Sequence, residues 1–218
     1  MLLRGSGCKY RRCAFCDYHS DFSKDETANF ALNKAVLSRV TGEYGRLEVI
    51  NSGSFGDLDK ATVAEIKKIA LAKNIKHLHF ECHWLYRNDL VDFREYFAKD
   101  GIEVIFKIGV ETFDVDFREN VLKKGMGKSD PAEIAAAGFG EINLLGGIDG
   151  QTASSMAKDI EIGLKYFNRV CVNLMTANST AVKPSAEVIK EFMTEVYPCF
   201  KDNPRVDILL ENTDFGVG

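Results

Sequence analysis

Short apolar runs alternate with helical patterns along the whole chain, and this alternation limits the folds open to it. The apolar runs fall at residues 47–51, 77–81, 104–110, 142–146, 170–175 and 206–210. Helical spacing covers 33–43, 60–72, 88–99, 116–124, 153–167 and 185–197, with a short extra helix at 131–137. Asp57 and Asp59 stand where N-caps of the second helix are expected, and Thr152 where the fifth begins. With Met1-Leu2-Leu3 counted as an opening strand, the pattern predicts roughly seven strands, most followed by a helix. Such alternation predicts an α/β fold of parallel strands with outer helices and right-handed crossovers. A full eight-unit barrel typically needs about 250 residues. The 218 residues here suit a single domain, residues 1–218, built as a partial (β/α)6-type barrel open on one side.

The opening strand runs into Cys8-Lys9-Tyr10-Arg11-Arg12-Cys13-Ala14-Phe15-Cys16. Three thiolates this close together suit one soft metal centre at a strand exit, which is where an α/β barrel places its chemistry. Three arrangements compete. A Cys3His zinc site would add His19, although structural zinc usually draws two ligands from each of two short segments. A plant-type [2Fe–2S] centre shares the C-x4-C-x2-C opening but needs a distant fourth cysteine. The next one, Cys82, lies in a strand-like run. An iron–sulfur cluster held by three cysteines alone would leave one iron open to a ligand. A disulfide framework does not fit. Six cysteines in a chain that is 45% apolar, without a secretory-signal pattern, predict a reduced, cytoplasmic protein.

Charge narrows the partners. The formal net charge is −4, and the cations near the cysteines or clustered later are Lys9, Arg11, Arg12, Lys123, Lys124 and Lys128. Stable nucleic-acid binding usually needs a basic face, so a small anionic substrate is the better match. No apolar run reaches the roughly 18 residues that span a bilayer, so no membrane association is expected.

The C-x4-C-x2-C loop, with the aromatic Phe15 before its last cysteine, resembles the cluster loop of the radical S-adenosylmethionine (radical SAM) superfamily, with one residue more than the commonest spacing. Later segments extend the resemblance. Asn51-Ser52-Gly53-Ser54-Phe55 stands where the superfamily carries its Gly-Gly-Glu-like segment, and resembles the version in enzymes that finish a 7-deazaguanine nucleoside of tRNA. Gly109-Val110-Glu111-Thr112, followed by Arg118, resembles the Gly-Val-Glu-Thr strand of related members. Leu144-Leu145-Gly146-Gly147-Ile148-Asp149-Gly150-Gln151-Thr152 resembles the superfamily's glycine-rich turn after the fifth strand.

The resemblance implies a radical SAM partial barrel, a [4Fe–4S] cluster on Cys8, Cys13 and Cys16, and SAM chelated at the open iron. It implies that Ser52, Gly53 and Ser54 meet the SAM amino group and that Glu111 meets the ribose. Arg118 would pair with the carboxylate, while Phe15 and Ile148 would supply apolar contacts. Reductive cleavage of SAM to a 5′-deoxyadenosyl radical would need a reducing partner such as flavodoxin or ferredoxin.

Polar strand ends supply candidates for the substrate side. Glu81, His83 and Arg87 crowd the third strand exit, and Asn173, Asn178 and Glu211 the later ones, so Glu81, His83, Asn173 and Glu211 are the candidate catalytic groups. Lys9, Arg11, Asn51 and Asp214 are candidate nucleotide contacts. Cys82 alternates with Glu81 and His83, which points it away from them as a buried thiol. Within the superfamily the chain resembles the queuine lyases of queuosine salvage, which cleave queuosine 5′-phosphate and release queuine. Two alternatives stay open. One is a 7-carboxy-7-deazaguanine synthase-like or glycyl-radical activating enzyme, and the other a non-catalytic metal-binding module.

Overall fold

The computed structural model of the protein describes residues 1–211, apart from the side chain of His19. Its strands are β1 (Leu2–Leu3), β2 (Arg46–Asn51), β3 (His77–Glu81), β4 (Glu103–Glu111), β5 (Glu141–Gly146), β6 (Arg169–Leu174) and β7 (Val206–Leu209). Their order in the sheet is their order in the chain. The helices are α1 (Glu26–Leu37), α2 (Lys60–Ala72), α3 (Leu90–Ala98), α4 (Pro131–Ala136), α5 (Ala153–Tyr166), α6 (Ala186–Glu191) and α7 (Tyr197–Phe200). The chain groups into two compact units, Met1–Arg11 with Tyr18–Lys107, and Arg12–Asp17 with the described residues from Ile108 onward. Strand β4 begins in the first and ends in the second.

In the first unit β1, β2, β3 and the start of β4 pair in parallel, from Leu3 beside Asn51 to Glu81 beside Lys107. Leu78, Phe80 and Phe106 of the sheet are almost wholly buried, as are Ile66 and Ala70 of α2 and Leu90 and Phe97 of α3. Asp59 caps α2, accepting from the Thr62 amide at 2.7 Å. Asp57, the other expected cap, belongs instead to the loop after β2.

Helix α1 begins earlier than the 33–43 pattern suggests, because two asparagines occupy its buried face and hide the apolar period. Asp25 caps it by accepting from the Ala28 amide. Asn33 has no exposed surface, and it accepts from the Arg4 amide at 2.7 Å while donating to the Arg4 carbonyl and to Thr62 Oγ1. Asn29 donates to the Ser23 carbonyl. These side chains take the place of a missing strand neighbour for the backbone between β1 and Cys8. Asn33→Ala leaves both Arg4 backbone groups and Thr62 Oγ1 without this partner, in a partly buried setting. It is expected to cost about 2–3 kcal/mol, read as a lower urea midpoint.

In the second unit β5 pairs with β6 over six residues and β6 with β7 over four, both in parallel. Thr152 caps α5 in a reciprocal capping box with Ser155. A Cβ at Gly163 would stand 2.7 Å from Val170 and 2.8 Å from Ile142, so glycine lets α5 lie directly on the sheet. The regular helix expected at 116–124 is instead a π-helical segment, Phe117–Val121. The helix expected at 185–197 is α6, a π segment at Phe192–Val196, then α7. Such wide turns tend to mark functional places, and the first of them carries Arg118.

Candidate active site

Cys8 is half-buried, and its amide donates to the Ser52 carbonyl at 3.1 Å. The three residues after it are each engaged. Lys9 Nζ lies 4.9 Å from the Tyr86 ring centroid, and Tyr10 stacks on His83 with centroids 4.5 Å apart. Arg11 takes a left-handed backbone (φ 51°), donates from Nε to the Cys8 carbonyl at 2.7 Å, and lays its guanidinium over Phe22.

The loop after β2 is braced from inside. Asp57 accepts from the Ser54 amide at 2.8 Å and from the Tyr86 hydroxyl. Burial pushes the Asp57 carboxyl up, against those hydrogen bonds and the Lys9 charge. Burial, and then the hydrogen bond to Asp57, push the Tyr86 phenol up as well, so it stays protonated and donating. A Cβ at Gly53 would stand 2.5 Å from Asp57 Oδ2, and one at Gly56 2.5 Å from the Tyr86 ring. Both glycines make room for this brace.

His83 caps the turn that follows β3. Its amide donates to Ser54 Oγ at 2.9 Å, and its Nδ1 accepts from the Leu85 amide at 3.2 Å. The accepting role of Nδ1 puts the ring proton on Nε2.

The other two cysteines belong to the second unit. Phe15, between them, is 3% exposed and packs with Leu122, Leu145, Ile148 and Met175, and Cys13 and Cys16 border that cluster. Asn178 donates to the Phe15 carbonyl at 2.7 Å, and Ser179 donates twice to Asp17. Gln151 holds the turn after β5, accepting from the Ile148 amide and donating to the Leu145 carbonyl. At the end of β4, Glu111 is buried with φ 67°, and its Oε1 accepts from Lys124 Nζ at 2.6 Å.

Several expected roles change. Asn51 is 1% exposed and donates to the Ser54 carbonyl, so it is an internal brace, not a surface for substrate. Ser54 is equally buried, with its hydroxyl engaged by the His83 amide. That leaves Ser52, whose Oγ is buried without a hydrogen-bond partner among the described residues. Arg11 is exposed and gives its Nε to its own loop, which leaves its candidate substrate role open. Asn178 anchors the cysteine loop and is not part of a substrate floor.

Arg118 has no exposed surface. Its Nε pairs with Glu119 and its Nη2 donates to the carbonyls of Gly127 and Ser129, each at 3.0 Å. A two-pronged contact with a ligand carboxylate is therefore not available. Only Nη1, buried without a partner, remains.

Glu81 ends β3 half-buried, Asn173 is buried in β6, and Glu211 is exposed beyond β7. Asp214 lies outside the described residues. Three residues were missed by sequence reasoning: Tyr10, Tyr86 and the role of Lys124. Adjacency to Cys8 was the available signal for Tyr10, and nothing in the sequence separated Lys124 from its neighbour Lys123.

No family model and no curated protein sequence matches the chain. Among solved structures it is similar to a queuine lyase from Clostridium spiroforme bound to SAM and queuine, at 43% identity and a TM-score of 0.92. The match covers 100% of this chain and 93% of that one. The chain belongs to the queuine lyase family of radical SAM enzymes. Streptococcus suis SuiB bound to S-adenosylmethionine matches with a TM-score of 0.54 at 12% identity, over 98% of this chain and 47% of that one, which shows the shared fold. The fold class is the partial (β/α)6-type barrel of radical SAM enzymes.

The residues present fit the family's cofactors. Cys8, Cys13 and Cys16 are half-buried and form no disulfide. Among the described residues no three His, Cys, Asp or Glu side chains converge as ligands of a single ion would. Cys82 is different. Burial, reinforced by Asp89 and Asp57, pushes its thiol up, and it donates to the His83 carbonyl. It is a protonated core residue. Among the described residues, Ser52 Oγ in the first unit and Arg118 Nη1 in the second are each buried without a hydrogen-bond partner.

Proposed function

We propose that this chain cleaves the glycosidic bond of queuosine 5′-phosphate and releases queuine, as one catalytic domain of 218 residues. The observation that carries this reading is the likeness, along the whole chain, to a queuine lyase bound to SAM and queuine. When bound, a [4Fe–4S] cluster and SAM supply a 5′-deoxyadenosyl radical that takes a hydrogen atom from the ribose and weakens its bond to the base. Everything else falls to the protein.

Cys8, Cys13 and Cys16 hold the cluster. Ser52 and Gly53 take the SAM amino group, Glu111 takes the ribose, and Phe15 and Ile148 line the apolar side and exclude water from a reactive centre. Lys9, exposed beside Cys8, takes the substrate phosphate by leaving the face of Tyr86. The Nε2 proton makes His83 a donor toward the nucleotide rather than a base at that nitrogen. Glu81, Asn173 and Glu211, with Asp214, complete the polar side. A one-electron carrier of the flavodoxin or ferredoxin type supplies the reductant, in the cytoplasm. Among the described residues no helix is long and apolar enough to cross a membrane.

Reduced enzyme given SAM and queuosine 5′-phosphate is expected to yield queuine and 5′-deoxyadenosine, identified by mass spectrometry. Both products should vanish when SAM or reductant is left out. Formation of 5′-deoxyadenosine only with a pterin or a partner protein would overturn the reading in favour of a deazaguanine synthase or an activase.

A further inference from the structure

Lys124 occupies a position that suits a lysine poorly unless its charge has a use. Its side chain is 9% exposed, and its Nζ lies 2.6 Å from Glu111 Oε1 and 5.4 Å from the centroid of Phe15. Burial would lower its pKa. The Glu111 carboxylate, in hydrogen-bond contact with Nζ, outweighs that, so the ammonium keeps its proton. A buried ion pair contributes little net stability, because removing two charges from water offsets their attraction. Stability alone does not explain it.

Left-handed backbone flanks the pair on both of its segments. Glu111 and Lys123 both sit in the left-handed region, at φ 67° and 55°, where non-glycine residues are uncommon and strain gathers at functional sites. Asp159 holds the β4 exit from the other side, accepting from the Phe113 amide at 2.9 Å and from the Thr112 hydroxyl. A Cβ at Gly109 would stand 2.4 Å from Glu111 Oε1 and 2.8 Å from Lys124 Nζ, so that glycine leaves the pair its space. Lys124 Nζ faces the ring of Phe15, the residue between Cys13 and Cys16, so its charge lies within electrostatic reach of both cysteines.

We propose that Lys124 is a positioning residue of the cofactor site, aiming the Glu111 carboxylate at SAM and holding a buried positive charge beside Cys13 and Cys16 that makes the cluster easier to reduce. The inference rests on the cluster-and-SAM reading above but not on the identity of the nucleotide. Reduction adds one electron from an external carrier to the cluster, and a nearby fixed cation favours the form bearing that electron. Glu111 compensates the cation, so removing either partner moves the potential in opposite directions.

The test uses anaerobically reconstituted holoenzyme without nucleotide substrate, after iron and sulfide are shown to match the wild type. An EPR-monitored redox titration should place Lys124→Met at a more negative potential than wild type, and Glu111→Gln at a more positive one. Lys124→Arg keeps the charge and should stay near wild type. By calorimetry Lys124→Met should bind SAM about tenfold more weakly, the loss of one charge-assisted orienting contact. Unchanged potentials in Lys124→Met and Glu111→Gln, or shifts of the same sign, overturn the proposal. Should Lys124→Met fail to hold its cluster, the upward shift in Glu111→Gln decides alone, and its absence rejects the idea. Because queuosine 5′-phosphate plays no part, a failed lyase assay leaves this outcome readable.

Discussion

Cys8→Ala, Cys13→Ala and Cys16→Ala are each expected to purify colourless, without a cluster and without detectable turnover. On the proposed ligand set each thiolate would hold one iron, so removing any one would leave the cluster short of a protein ligand. Wild-type protein purified anaerobically should be brown, with about four iron and four sulfide per chain. The other cysteines set the control. Cys82 is a buried, protonated thiol, Cys171 is buried within β6, and Cys199 is exposed and donates to the Glu195 carbonyl. Changing any of them to Ala should leave the visible absorbance intact. Loss of the cluster in Cys82→Ala alone would reinstate the ferredoxin-like ligand set.

Arg118→Ala is expected to destabilise the apo protein by about 3–5 kcal/mol, the range for breaking a buried charged network. The guanidinium donates to the carbonyls of Gly127 and Ser129 and pairs with Glu119, which itself accepts from the amides of Gly125 and Met126. Removing it leaves two carbonyls unpaired and a carboxylate without its cation. The segment that carries Lys124 should then loosen, with SAM affinity lost as a consequence. Lys in its place restores charge but not the fork, and should recover only part of the loss. Urea unfolding reads the effect. A change below about 1 kcal/mol would mean that the residue behaves as a surface arginine.

The strand-and-helix order was legible because parallel strands buried on both faces read as plain apolar runs. Residues 77–81 and 60–72 coincide with β3 and α2. Helix α1 was misplaced because Asn29 and Asn33 stand at core positions, where polar side chains break the apolar period. The π segment at Phe117–Val121 could not be read, since nothing local shows that Arg118 faces inward.

The site divides in the same way. The cysteine loop is legible because few chemistries need three thiolates at that spacing. The Asp57–Tyr86 brace and the Glu111–Lys124 pair were not, because each joins common residues brought together only by folding. Ser54 and Asn51 show the converse. Their positions suggested ligand contact, and the structure uses their side chains to hold neighbouring loops.

The central claim is hydrogen abstraction from the ribose of a queuine nucleotide, and isotope transfer tests it most directly. Queuosine 5′-phosphate deuterated on the ribose, one carbon at a time, is incubated with reduced enzyme and SAM, and the 5′-deoxyadenosine is weighed by mass spectrometry. One labelled carbon is expected to deliver deuterium to 5′-deoxyadenosine while queuine is released in step with it. Queuine released with no deuterium transferred from any ribose position would contradict it.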